Sequence, residues 1–159
     1  MRLAHPIEPV FDAGSEKLIL GSFPSEASRT TGFYYGHPQN RFWKLLALIY
    51  DEAIPLCRDE KLEFLHSHRL ALWDVAAECE VSGSADAQIT NAVPNNIDII
   101  LSFAPIKQIY VNGRLAETLY KKFILPATER DAVYLPSTSP ANAVWSLERL
   151  AVKWSVIKD

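Results

Sequence analysis

The chain holds only two cysteines, one methionine and six glycines in 159 residues, and basic charge is in no excess: 16 Lys and Arg face 19 Asp and Glu, for a net charge of −3. Each scarcity excludes something. Cys57 and Cys79 cannot build a disulfide framework and are too few and too far from other ligand types for a zinc site, so they read as two small buried thiols in a reducing cytoplasm. No run of about 18 apolar residues occurs, and no basic leader precedes an apolar stretch, so neither a membrane partner nor export is expected. The charge balance excludes a protein that coats nucleic acid by bulk attraction, while leaving room for a local groove. After the first apolar run the sequence reads GSFPSEAS, without the second Gly and the Lys of a phosphate-cradling loop, and Gly-x-Gly-x-x-Gly occurs nowhere. Nucleotide hydrolysis and a dinucleotide cofactor are therefore not supported. His66 and His68, the one close His pair, stand two apart on a helix and face different ways, so no metal site is expected.

What is present is the composition of an ordinary folded domain, 48% hydrophobic and 22% charged, and the length fits a single domain over residues 1–159, expected to be a monomer. KLILG (17–21) predicts a buried strand and a long loop follows to Gln39. Phe42, Leu45, Leu46 and Ile49 fall on one helical face, and 59–67 form a second, short helix. ALWDV (71–75) is a strand, trailed by an irregular polar segment with Gly83, Ser84 and Asp86. Pro94-Asn95-Asn96 starts a helix that buries Ile97, Ile100 and Leu101. KQIYVNG (107–113) is strand then Gly, and 114–123 is helical with Leu115, Leu119, Tyr120 and Phe123 inward. AVYLP (132–136) is the last strand, and 141–156 a helix with Val144, Leu147, Ala151 and Trp154 on one side.

Strands that are apolar throughout and alternate with helices belong to a parallel sheet covered on both faces. The class is α/β, a three-layer α/β/α domain with a central four-stranded parallel sheet. In such a sheet the loops after the strands gather at one edge, where ligands bind. That places 22–39, Asp74 with Val75, Asn112 with Gly113, and Ser137 to Asn142 around one crevice. Its polar groups are amides and hydroxyls beside rings: Phe23, Tyr34, Tyr35, His37, Asn40 and Asn112, with Ser137, Thr138, Ser139 and Asn142 opposite. Carboxamides read base edges by paired donor and acceptor, and rings stack on planar heterocycles. The Ser-Thr-Ser-Pro turn, read as opening the last helix, offers hydroxyls and free backbone N–H groups to a phosphate. A base in a pocket with its phosphate held alongside is what a base-flipping enzyme requires.

The same residues carry a resemblance. GSFPSEASRTTGFYYGHPQNRFW (21–43), followed by LPSTSPANA (135–143), resembles the uracil-DNA glycosylase superfamily and, within it, the DNA-deoxyinosine (hypoxanthine-DNA) glycosylase family. ALWDV, GSADAQI and VNG also look like that family, so the similarity spans nearly the whole chain. It implies a uracil-DNA glycosylase-like fold and a DNA repair enzyme, monofunctional and without cofactor, that flips out and excises hypoxanthine and leaves an abasic site. Its partner would be DNA, double- or single-stranded, containing a deaminated base. Carried over by position, Gly21, Ser22, Phe23, Pro24 and Ser25 form the pocket floor and Tyr35 stacks on the extruded base, with His37 beside it. Asn40 and Asn112 are the catalytic carboxamides. Ser137, Thr138, Ser139, Pro140, Ala141 and Asn142 grip the DNA backbone. The first block is similar to the mismatch-specific uracil glycosylases too, but there the residue before the motif's Pro is a water-orienting Asn, and here it is Phe23.

Alternatives stand beside this. A mismatch-specific uracil or thymine glycosylase would use the same fold, and a non-catalytic module would only sense damaged or single-stranded DNA. A Ser22 or Ser25 nucleophile with His37 and Asp74 can be drawn, but no spacing compels it. Each residue also has a plainer role: Asn40 as a helix cap, Asn112-Gly113 as a turn, Ser137 to Ser139 as a helix start, and Asp74 or Asp86 as ties for neighbouring loops.

Overall fold

The computed structural model describes residues 2–82 and 88–159, so the expectations for Gly83, Ser84 and Asp86 lie outside the described residues. In chain order the elements are β1 (Arg2–Ala4), β2 (Lys17–Gly21), α1 (Glu26–Thr31), α2 (Phe42–Tyr50), α3 (Arg58–Ser67), β3 (Leu70–Asp74), β4 (Ala76–Ser82) and β5 (Gln88–Pro94). They continue with α4 (Asp98–Leu101), β6 (Gln108–Asn112), α5 (Arg114–Leu119), a π-helical turn (Tyr120–Ile124), α6 (Leu125–Thr128), β7 (Ala132–Leu135), α7 (Leu147–Trp154) and a closing 3-10 turn (Ser155–Lys158).

The four-stranded sheet has the order β3-β2-β6-β7 and every pair in it is parallel. β2, β3 and β6 are buried almost end to end, with β3 buried at all five positions, while in the edge strand β7 only Leu135 is buried. Leu18, Ile19 and Leu20 form the centre of the core, between Leu70, Ala71 and Leu72 on one side and Ile109, Tyr110 and Val111 on the other. Register then fixes the edge that matters. Gly21 pairs with Asp74, Leu20 with Val111 and Asn112 with Leu135, so the last residues of all four strands stand in one row.

Several sequence expectations change. A second, antiparallel sheet of order β1-β4-β5 occupies part of the segment read as irregular. Glu-Cys-Glu-Val (78–81) does alternate polar and apolar, a period-two signal. Register shifts between Ala76 and Glu80 and a positive φ at Asn91 interrupt the pattern. The loop after β2 contains α1, whose six residues are too few for an apolar period. Ser25 Oγ caps it by accepting from Ser28 N at 3.1 Å. Leu115 lies at the exposed edge of α5, while Ala116, Leu119, Tyr120 and Ile124 point inward from α5 and the π turn that follows it. The final helix begins at Leu147, capped by Ser146, and Val144 lies outside it, 79% exposed. Cys57 is exposed just before α3, and Cys79 alone is buried. His66 and His68 are half-buried and face Asp12 and Glu52, and no cluster among the described residues could hold a metal ion. No helix among the described residues is long and apolar enough to cross a membrane.

Trp154 joins this core to the edge of the sheet. Fully buried, it sits edge-on to Phe42 and donates from Nε1 to the Pro136 carbonyl at 2.9 Å. Trp154→Phe removes that donor while keeping an aromatic ring, and leaves the carbonyl unpaired. Denaturant unfolding is expected to show a loss of about 1–3 kcal/mol.

Candidate active site

The row of strand ends positions the site, and glycine at its centre is a steric requirement. A Cβ added to Gly21 would stand 2.4 Å from Asp74 Oδ1 and 3.3 Å from the Tyr35 hydroxyl. Both groups therefore converge on the space that Gly21 leaves. The neighbouring main chain continues the contact, with Val75 N donating to Gly21 O at 2.8 Å and Ala76 N to Ser22 O at 3.0 Å. Ser22 lies half-buried there. Pro24 is buried and its carbonyl accepts from Arg29, while Ser25 is spent on capping α1. The Phe23 ring stands edge-on to the His5 ring, centroids 5.8 Å apart.

Tyr35 adopts a φ of 55°, a left-handed conformation that costs a non-glycine residue roughly 1–2 kcal/mol. Its ring is stacked on Phe42 at 4.0 Å and 18°, which covers one face, and Tyr34 is tilted beside it at 6.5 Å. The hydroxyl is buried, with no partner at full hydrogen-bond geometry among the described residues and Asn112 the nearby polar side chain. Burial, reinforced by the Asp74 carboxylate and opposed by the nearby Asn112 side chain, pushes it well above the ordinary phenol range. It stays protonated, a donor with no acceptor among the described residues.

His37 and Asn40 lie on the turn into α2. His37 Nδ1 accepts from Gln39 N at 3.0 Å, and its carbonyl accepts from Asn40 N at 2.9 Å. Asn40 Oδ1 in turn accepts from Phe42 N at 2.9 Å, so the plain helix-start role is real. Only the carboxamide oxygen is used in this way. The Nδ2 group forms no hydrogen bond among the described residues and remains an unspent donor.

Asn112 is placed differently. Its Oδ1 accepts from Thr138 N at 3.1 Å and its Nδ2 donates to Thr138 Oγ1 at 3.1 Å, a two-point clamp on a residue that is 1% exposed. Gly113, at φ +95°, lets the chain turn beside Ser137, whose Cβ would lie 3.0 Å from any Cβ placed there. The segment from Ser137 to Asn142 is thus tied to the end of β6, and most of its polar groups are turned on itself. Ser137 Oγ accepts from Ser139 N, Ser139 Oγ accepts from Ala141 N, and Asn142 Nδ2 donates to Ser137 O. The N–H groups expected to be free are therefore engaged, and the segment does not open α7. Ala141 is exposed, Pro140 half-buried, and the loop presents a preformed rim.

Two features were not picked out from the sequence. Arg41, within His-Pro-Gln-Asn-Arg-Phe-Trp, sends its guanidinium into that rim: Nη2 donates to Ser139 O at 2.9 Å and Asn142 O at 3.0 Å, and Nη1 to Trp145 O. Arg41 N also donates to Thr138 O at 3.1 Å. Ser139 O and Asn142 O also accept from Asn142 N and Trp145 N, so 139–145 is a run of turns that Arg41 holds from the side, and the helix starts beyond it. The second is His5. Its Nε2 lies 2.8 Å from Asp74 Oδ2, with side chains 4% and 5% exposed, and its Nδ1 accepts from Ile7 N at 3.3 Å. Nothing near His5 in the sequence marks it; only β1 pairing with β4 brings it to the strand ends, where His5 N donates to Ala77 O at 2.7 Å.

The strand-end row thus brings together Gly21, Ser22, Phe23, Tyr35, Asp74, Asn112 and Thr138, with Asn40 joined through Arg41. The Arg41 fork is the cross-brace between the two loops. Arg41→Lys leaves one compact ammonium facing three carbonyls, and is expected to cost about 1–2 kcal/mol in denaturant unfolding and to speed proteolytic cleavage between residues 139 and 146.

Comparison with known proteins agrees with this architecture. The family described as the uracil DNA glycosylase superfamily matches residues 8–159. A hypoxanthine DNA glycosylase of Methanosarcina barkeri is 36% identical over 136 residues, 84% of this chain and 85% of that protein. Another, from Methanosarcina acetivorans, is 33% identical over 150 residues, 93% of each chain. A solution NMR structure from Methanosarcina acetivorans, provisionally assigned as a uracil DNA glycosylase, superimposes with a TM-score of 0.83 at 32% identity, covering 99% of this chain and 98% of that one. With a sheet, strand-end cleft and sequence match that run together along nearly its full length, the chain belongs to the uracil DNA glycosylase superfamily.

Proposed function

We propose that this protein is a DNA repair N-glycosylase that excises hypoxanthine from deoxyinosine in DNA, acting as a monomer with residues 1–159 as one catalytic domain. The activity named for its curated relatives supports the substrate. The observation that carries the reading is that one loop after a central strand holds an aromatic ring beside Gly21 and Asp74, Tyr35, and five residues on a carboxamide whose nitrogen is unspent among the described residues, Asn40.

Cleaving the N-glycosidic bond develops positive charge on the sugar and negative charge on the purine. The site must therefore hold the flipped base, donate to its acceptors and admit one water. The purine lies on the face of Tyr35 away from Phe42, and Asn40 Nδ2 donates to it. A preorganised donor facing developing charge contributes on the order of 3 kcal/mol. Asn112 fixes Thr138 and the rim, and its Oδ1 keeps a second lone pair for an N–H of the base. Hypoxanthine carries O6 and N1–H where adenine has an amino group and a bare N1, so groups that pair with the first go unsatisfied with the second. Ser137 to Asn142 meets the DNA backbone as a rim already in shape. Neither motif block, 21–43 nor 135–143, contains a Lys to form a Schiff base, and the product is an abasic site with an intact strand.

Purified protein, incubated in the absence of added metal with duplexes bearing deoxyinosine or deoxyuridine and then treated with alkali, should cut at deoxyinosine. Binding without scission at excess enzyme would instead identify a sensing module. Asn40→Asp keeps the acceptor for Phe42 N and removes the free donor; single-turnover excision should fall at least tenfold with an unchanged melting temperature. Phe23→Asn should raise excision of uracil relative to hypoxanthine, measured on the same two duplexes.

A further inference from the structure

The buried pair beneath this cleft has a direction to it. His5 Nδ1 accepts the Ile7 N–H at 3.3 Å, so it carries no proton, and the ring proton sits on Nε2. Nε2–H then donates to Asp74 Oδ2 at 2.8 Å. The other carboxylate oxygen, Oδ1, has no hydrogen bond among the described residues and fills the space a Cβ on Gly21 would need, 2.4 Å from that point, with the Tyr35 hydroxyl 3.3 Å from it. Asp74 is 3% exposed, and buried carboxylates are normally satisfied at both oxygens. Here one oxygen is held from behind and the other is left open at the strand ends. The Phe23 ring, edge-on to His5, and Tyr34, tilted against it at 6.2 Å, wall the pair with aromatic carbon.

We infer that Asp74 Oδ1 holds the attacking water and accepts its proton, and that His5 is the positioning residue that fixes the carboxylate for this step. The inference rests on reading the cleft as a glycosylase site. The water oxygen forms a bond to the sugar C1′ while the C1′–N9 bond breaks and its electron pair leaves with the purine. The water proton passes to Oδ1 and is returned through solvent to the departing base, so hypoxanthine and the abasic sugar are the complete products. Asn40 acts on the leaving group and Asp74 on the nucleophile, two tasks on opposite sides of one bond. Such a division of labour suits a row of strand ends in which Asp74 is the one carboxylate among Gly21, Asp74, Asn112 and Leu135.

The test is single-turnover excision from a deoxyinosine duplex by Asp74→Asn, whose carboxamide oxygen can still accept from His5 and whose charge is gone. A rate at least about 100-fold below wild type, with DNA affinity within about threefold, is expected for loss of a proton acceptor. Sodium formate should then restore part of the rate of Asp74→Ala, because the deleted carboxylate leaves a space of its own size beside Gly21. Asp74→Asn within threefold of wild type would overturn the inference. So would an Asp74→Ala protein of native circular dichroism and DNA affinity that formate does not stimulate. Should neither variant fold, His5→Gln reports in their place: a rate loss of tenfold or more supports the positioning role, and a rate within threefold of wild type removes it. Wild-type protein inactive on deoxyinosine would instead refute the proposed substrate, so the two failures are distinct.

Discussion

Parallel pairing in register is the constraint on which the site depends. Because β3, β2, β6 and β7 run the same way and end together, Asp74, Gly21, Asn112 and Leu135 form a row about 5 Å apart from strand to strand. None of these residues could reach its neighbours from a strand shifted by two positions. The row also explains the small residues in it. Gly21 is where a carboxylate and a phenol from two other elements meet, and Gly113 is where the chain must turn against Ser137.

Two braces convert the row into a cleft of fixed shape. Asn112 clamps Thr138 through both ends of its carboxamide, and Arg41 spans three carbonyls farther along the same segment. The loop after β2 and the loop after β7 are thereby bound to each other and to the sheet. Preorganisation of this kind is what a site needs when the groups that act on the leaving base are neutral amides, which stabilise developing charge only if they are already aimed at it. It also removes the need for strong bulk attraction to DNA, in keeping with a net charge of −3.

The parallel sheet was legible because KLILG, ALWDV, KQIYVNG and AVYLP are each apolar along their length, and the gathering of their following loops is a matter of topology alone. Tyr35, Asn40 and Thr138 came from those loops and from the family resemblance; Tyr35 stands beside Gly21, Thr138 is held by Asn112, and Asn40 precedes Arg41, whose N–H donates to Thr138. The pieces that escaped are those that depend on distant partners. The β1-β4-β5 sheet draws one strand from the amino terminus, so His5 gave no local sign of lying against Asp74. Before α7 the chain runs through turns at 139–145 whose carbonyls are also held by Arg41, far away along the chain. The π turn lengthens the period after Tyr120, so that Ile124 and not Phe123 is the buried position, while Leu115 lies at the exposed edge of α5. Asn40 shows the two levels combined: its oxygen does the local work of a helix start, and its nitrogen makes no hydrogen bond among the described residues.

The central claim is that the strand-end cleft receives a purine turned out of the helix. A structure of the Asn40→Asp protein bound to a duplex with a single deoxyinosine tests it most directly. The purine is expected on the face of Tyr35 away from Phe42, with position 40 at hydrogen-bond distance from the base and residues 137–142 along the adjoining phosphates. A deoxyinosine still stacked in the duplex, or a base lodged away from the row of strand ends, would contradict it.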